Sequence, residues 1–134
     1  MQHFLLKTEP SDYSYDDLLR DKKTTWSGVA NNAALKHIRS MKKGDTVLIY
    51  HTGDEKQIVG LATIISDPYP DPHQHDPKLI VIDIQANQKL KKPVTLALIK
   101  SLKYFSRFPL VTISRLSVMP VSDEEWEHIL SLSK

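Results

Sequence analysis

Apolar residues along this chain fall in short blocks separated by polar turns, a pattern of short strands and short helices. His3 to Lys7 (HFLLK) reads as a first strand. It ends at Lys7-Thr8-Glu9-Pro10, because proline cannot continue a ladder. Ser14-Tyr15-Asp16-Asp17 has the form of a capping box and opens a short helix whose apolar face is Leu18 and Leu19. Asp21 to Thr25 reads as a polar connector into Trp26. In the next helix, Asn31 and Asn32 cap the start and Ala34, Leu35, Ile38 and Met41 form the apolar stripe. Lys36, His37, Arg39, Lys42 and Lys43 are left toward water, and Gly44 stands where a left-handed terminating residue is wanted. Val47 to Tyr50 then forms a buried strand that delivers Tyr50, His51 and Thr52 to its end.

Thr52 to Gln57 reads as a hairpin loop, with Ile58 to Ile65 returning as a strand. Gly60 inside that strand predicts a bulge or a close backbone approach. Residues 67–77 hold four of the eight prolines and form the main irregular loop. Leu79 to Ile84 is a further strand, Gln88 to Lys92 a Lys-rich turn, and Thr95 the cap of a helix from Leu96 to Leu102. Phe105, Phe108, Leu110, Val111 and Ile113 add core, and Leu116 to Met119 reads as a last strand. Ser122-Asp123-Glu124-Glu125 is a second capping box, with Trp126, Ile129, Leu130 and Leu132 turned inward on the C-terminal helix. The reading is a single α+β domain over 1–134, a small β-barrel of mixed strands with peripheral short helices.

Composition narrows the class. The chain has 134 residues and no cysteine, which excludes a disulfide framework. No apolar run approaches the ~18 residues of a membrane span, and no signal segment is present, so a soluble cytoplasmic protein is expected. The net charge of +2 hides an asymmetry, because all seven charged residues between Gln85 and Val121 are basic. These are Lys89, Lys91, Lys92, Lys100, Lys103, Arg107 and Arg115. A segment of one sign holds phosphates or forms a solvated surface.

Three chemistries compete for the polar residues. Trp26, Asn31 and the Tyr50-His51-Thr52 strand end can converge at one end of a sheet, with Lys7, Thr8 and Glu9 adding a donor, a hydroxyl and an acceptor. That set suits a flat ligand; taken singly, Trp26 and Tyr50 read as core. His51, Glu9 and Lys7 would supply a base, an acid and an oxyanion donor for an enzyme acting on a nucleotide or nucleic acid. No nucleophile motif accompanies them, and Gly28 alone makes no phosphate loop, so binding without catalysis is preferred. Asp71, His73, His75 and Asp76 have ligand chemistry, yet their proline-rich turn explains them without a metal. A protein-interaction module would need an exposed apolar patch.

Several motifs follow in order: Lys7-Thr8-Glu9-Pro10, Trp26-x-Gly28-Val29-x-Asn31, the Gly44-Asp45 to Tyr50-His51 run, Tyr69-Pro70-Asp71, Pro93-Val94-x-Leu96 and Arg115-Leu116-Ser117-Val118-x-Pro120-Val121. Together they span essentially the whole chain and resemble the EVE domain family. The resemblance implies a PUA-like barrel related to ASCH and YTH domains. It also implies a reader of a modified base, a modified cytosine in DNA or a modified base in RNA, with no cofactor and no membrane partner. By matched position it implies a base pocket of Lys7, Thr8, Glu9, Trp26, Gly28, Val29, Asn31, Tyr50, His51, Thr52, Arg115 and Ser117. Trp26 is the stacking wall and Asn31 the bidentate reader of a base edge. Lys36, Arg39, Lys89, Lys91, Lys92, Lys100, Lys103 and Arg107 would follow the phosphate backbone. Ser27, Ala30 and Asn32 stand where the family commonly has Asp, Arg and Tyr; losing that Arg removes a fork-shaped donor.

Overall fold

The computed structural model describes residues 1–134. Seven strands and five short helices follow in the order β1 (His3–Thr8), α1 (Tyr15–Asp21), β2 (Lys23–Trp26), α2 (Asn32–Arg39), β3 (Thr46–His51), β4 (Gln57–Ile64), β5 (Tyr69–Pro70), β6 (Ile80–Thr95), α3 (Leu96–Ser101), α4 (Pro109–Thr112), β7 (Val118–Val121) and α5 (Asp123–Leu132). A 3-10 turn at Lys103–Phe105 joins α3 to α4. The fold is α+β.

The strands form one mixed sheet in the order β2-β6-β4-β3-β1-β7, with β5 paired to β6. Only β1 and β3 run parallel. Phe4, Leu5 and Leu6 on β1 and Val47 to Tyr50 on β3 are all buried, as expected of central strands covered on both faces. The expected closed barrel does not form. β2 and β7 are the two ends of the sheet and do not pair with each other. The apolar stripe of α2 explains the opening: Ala34, Leu35 and Ile38 are buried, and the helix packs against both β7 and β6, a layer of side chains between the two flanks.

Several segments differ from the sequence reading, among them β5, a short strand inside the expected proline-rich loop. Lys23 to Trp26, expected as a connector, is an edge strand paired with Ile82 to Gln85 of β6. Gln88 to Lys92, expected as a turn, is the middle of β6, a strand of 16 residues. Its Lys89, Lys91, Lys92 and Pro93 are exposed, so this stretch lacks the apolar alternation that marks a half-buried strand. Ile113, expected in the core, is half exposed. α2 stops at Arg39 rather than running on to Gly44, which takes φ +99° in the following turn.

Gly60 unites both expected features. The β4 register shifts on either side of it, and the Tyr15 ring lies against its Cα where a side chain would stand. The Tyr15 hydroxyl reaches past it to donate to the Leu61 carbonyl at 2.6 Å. α1 is thus seated on the sheet through a missing side chain. Its start is fixed by the predicted box, with Ser14 Oγ accepting from Asp17 N–H at 3.1 Å and Asp17 Oδ2 accepting from Ser14 N–H at 2.9 Å. The matching box of Ser122 and Glu125 opens α5.

Candidate nucleic-acid interface

The parallel register of β1 on β3 sets Lys7 beside Tyr50 and Thr8 beside His51. Successive side chains of a strand point to opposite faces, and Lys7 and Thr8 line different cavities. The residues expected in one pocket are spread over two cavities at the β1 end and a smaller hollow at Gly28 and Val29.

Thr8 lines the first, a cavity of about 310 Å³, with Asp12, Tyr13, Thr24, Thr25, Trp26 and Ser27. Trp26 ends β2 and is only 8% exposed, so it belongs to the core while showing part of its ring to the cavity. Tyr13 meets it edge to face, with centroids 6.3 Å apart and planes at 80°. The Tyr13 hydroxyl donates to Asp21 Oδ2 at 2.9 Å, and burial is the main cause that raises its pKa above the usual phenol value. Thr8 Oγ1 donates to the Tyr13 carbonyl at 2.7 Å, which fixes the loop carrying Tyr13 to the strand end. Asp12, Tyr13, Thr24, Thr25 and Ser27 were not among the expected pocket residues. The aromatic in Asp12-Tyr13 just past the Lys7-Thr8-Glu9-Pro10 motif was their one visible signal.

Lys7, Tyr50 and Thr52 line the second cavity, of about 280 Å³. They are joined there by Lys56, Lys100, Gly53, Leu96, Leu110, Val111 and Ser114. Lys7 Nζ donates to the Ser114 carbonyl at 2.9 Å and lies 5.7 Å from the Tyr50 ring centre. Burial pushes the Lys7 pKa below the usual lysine value and the Tyr50 pKa above the usual phenol value.

Other expected residues take local roles. Asn31 is the cap of α2, its Oδ1 accepting from Ala34 N–H at 3.1 Å, so the side chain is not a free bidentate pair. His51 is buried and uses both ring nitrogens: Nε2 accepts from Tyr15 N–H at 3.0 Å, and Nδ1 meets Glu55 Oε1 at 2.9 Å. Glu9 accepts from Ser11 N–H at 3.3 Å and from Thr52 Oγ1 at 3.4 Å. Gly28 and Val29 line a smaller hollow of about 120 Å³ against Asp71, Gln74 and Leu79. Arg115 is exposed just before β7, and Ser117 accepts the Lys7 N–H through its carbonyl at 2.9 Å.

The basic residues do not form one track. Lys89 pairs with Asp16 at 3.0 Å, Lys91 lines a hollow against Leu130 and Ser133 near α5, and Lys100 belongs to the Lys7 cavity. Lys36 and Arg39 project from α2, while Lys92, Lys103 and Arg107 are exposed. In the proline-rich loop, Asp71 accepts from His73 N–H and Asp76 from Lys78 N–H, both at 2.9 Å, which makes these carboxylates turn formers. No helix is long and apolar enough to cross a membrane.

Sequence comparison decides the family, because the EVE domain model matches residues 2–132. The chain belongs to the EVE domain family. Thymocyte nuclear protein 1 of Homo sapiens is 31% identical, over 98% of this chain and 74% of that protein. Among solved structures, this EVE domain is similar to Rpa0253 from Rhodopseudomonas palustris, with a TM-score of 0.94 and 38% identity over 99% of this chain and 93% of that one. It is also similar to the human THYN1 protein solved in complex with 5-methylcytosine-containing DNA. That likeness has a TM-score of 0.91 and 29% identity, covering 100% of this chain and 98% of the other.

Proposed function

We propose that this EVE domain is a nucleic-acid-binding module that takes a modified cytosine of DNA into the cavity of Thr8, Asp12, Tyr13 and Trp26, without turning it over. The observation that carries the reading is the aromatic corner of Trp26 and Tyr13 in a cavity of about 310 Å³. It is supported by the likeness, along the whole of this chain, to a protein solved with 5-methylcytosine-containing DNA. A cavity of that size is at the lower end of small-molecule sites, which suits a single base taken out of its stack. Stacking on an aromatic face returns about 1–3 kcal/mol per base.

The polar lining favours cytosine. Cytosine presents an exocyclic amino group where thymine presents an oxygen, and carboxylates accept from that amino group. Asp12 is the one charged residue of the cavity lining. A methyl at position 5 adds apolar area worth about 0.8 kcal/mol if fully buried, or about fourfold in affinity. Binding without catalysis is favoured by His51, whose two nitrogens are both occupied within the fold. The relatives carry a nuclear name, and a cytoplasmic address forms no part of the reading.

Fluorescence anisotropy with single-stranded and duplex DNA tests it, each strand carrying one cytosine, 5-methylcytosine or thymine at the same position. RNA of the same sequence serves as a further arm. The expected order is 5-methylcytosine above cytosine above thymine. Equal binding of all three would refute base reading.

A further inference from the structure

In the proposed reading the base lies outside the Lys7 cavity, yet this cavity is the more strongly charged of the two. Three of its ten lining residues are lysines and none is acidic. Neither Lys7, Lys56 nor Lys100 is in an ion pair. Lys56 and Lys100 also border an outer hollow lined by Asp54 and Glu55; Glu55 is held by His51, and Asp54 forms no ion pair. Three lysines lining one small cavity give it a positive potential that favours an anion.

The cavity is also built rather than a chance gathering of surface lysines. Lys7 is half-buried and tethered by one N–H to Ser114 O, leaving two donors on the same nitrogen. Lys56 has φ +48°, a conformation that costs a non-glycine residue energy and that clusters at ligand clamps. Its carbonyl accepts from Leu96 N–H at 2.8 Å, so the β3–β4 hairpin and α3 are tied together and Lys56 is held near Lys100. Tyr50, Leu96, Leu110 and Val111 give the cavity an apolar wall beside these charges.

We propose that Lys7, Lys56 and Lys100 form a phosphate-binding site, which takes the phosphodiester next to the base held at Trp26. The strand context rests on the proposed base reading; the phosphate chemistry does not. Lys7 and Thr8 are consecutive residues, about 3.8 Å apart at their Cα atoms, and face the two cavities from either side of one strand end. A nucleotide draped over the end of β1 therefore places its base on the Thr8 side and an adjoining phosphate on the Lys7 side. The apolar wall then meets the sugar. Because phosphate contacts carry no sequence information, this site adds affinity and register while the Trp26 cavity adds selectivity.

The test uses the full chain and a Lys56→Gln, Lys100→Gln double variant, chosen because both side chains are exposed and outside any ion pair. A single-stranded DNA with one 5-methylcytosine is titrated at several salt concentrations. The log K against log salt slope should become shallower by about 0.7 for each lysine removed, the value for a single strand, with affinity falling equally for cytosine and 5-methylcytosine strands. Inorganic phosphate and deoxycytidine 5′-monophosphate are added separately to ¹⁵N-labelled protein, and should shift the amides of Gly53, Lys56 and Ser114. If the monophosphate binds as tightly as the strand, the site is kept and its source is a free nucleotide. An unchanged slope, with no amide moved by phosphate, overturns the proposal. The methyl preference is read in the same titrations. Its absence in the parent chain together with a reduced slope in the variant sinks the base reading alone.

Discussion

The imidazole of His51 accepts the main-chain N–H of Tyr15 at 3.0 Å, so the last residue of β3 holds the first turn of α1. An acceptor nitrogen carries no proton, so the proton of the neutral ring sits on Nδ1 and is donated to Glu55. A residue that sequence alone offers as a catalytic base is a fastening between helix and sheet. His51→Ala leaves the Tyr15 N–H without its partner, and an unsatisfied buried donor costs about 1–3 kcal/mol. Urea denaturation should show a loss of that size. Cytosine binding per folded molecule should fall less than tenfold, because His51 lines neither cavity.

Gly60 and Tyr15 form the second fastening. A methyl group at position 60 overlaps the Tyr15 ring, which is fully buried and held through its hydroxyl. Gly60→Ala should destabilise by about 1–3 kcal/mol, the usual range for overpacking. Tyr15→Leu removes the ring and its hydroxyl bond, so it destabilises by itself. In the double variant, however, the Gly60→Ala penalty should shrink, and a double-mutant cycle by chemical denaturation measures that coupling.

The α1 capping box sets an acid limb on stability. The Asp17 carboxyl is held below its ordinary 3.8, first by the Ser14 N–H it accepts and further by the Ser14 hydroxyl and Arg20. A depressed carboxylate pKa contributes stability that is fully present above the unfolded value and is lost as pH falls through the folded one. The contribution of Asp17 is therefore complete well above pH 3.8 and is lost progressively as pH falls below 3.8 and through the lower folded value. Asp17→Asn keeps an acceptor but cannot titrate. Its stability should fall less steeply than that of the parent below pH 4, measured as melting temperature against pH.

In the proposed reading, Asp12 separates two ligands that share a methyl group. Thymine and 5-methylcytosine both carry it, so apolar contact cannot tell them apart, whereas a carboxylate facing position 4 can. Asp12→Asn supplies both a donor and an acceptor, and should cut the preference for 5-methylcytosine over thymine by about tenfold or more, from the 1–3 kcal/mol typical of base discrimination. Its preference for 5-methylcytosine over cytosine should stay the same. Competition anisotropy with the three strands measures both ratios.

Local signals carried much of the fold. Both capping boxes, the Thr95 cap and the hairpin between β3 and β4 are specified by residues within a few positions of one another, and all form as read. β2 was hidden because Lys23-Thr24-Thr25 is a polar edge strand, recognisable only once β6 lies beside it. The long β6 was hidden because its middle shows exposed lysines and Pro93 rather than alternation. The same limit applies to the site. The residue types at the β1 and β3 ends were legible, but the division of Lys7 from Thr8 follows from strand geometry. The arrival of Lys56 and Lys100 depends on the hairpin meeting α3. Asn31 was read both as a cap and as a base reader, and its carbonyl oxygen went to the cap.

Trp26 bears the central claim, but removing it confounds binding with stability, since truncating a buried tryptophan costs about 3–5 kcal/mol. Its emission is the cleaner probe. With Trp126 replaced by Phe, Trp26 is the sole tryptophan, because the chain has two. Titration with a DNA strand carrying 5-methylcytosine should quench or shift that emission at lower concentration than the matched cytosine strand. A parallel Tyr13→Leu form should lose that difference. If both strands bind, as judged by anisotropy, while the Trp26 emission stays the same, the base does not enter this cavity and the account is wrong.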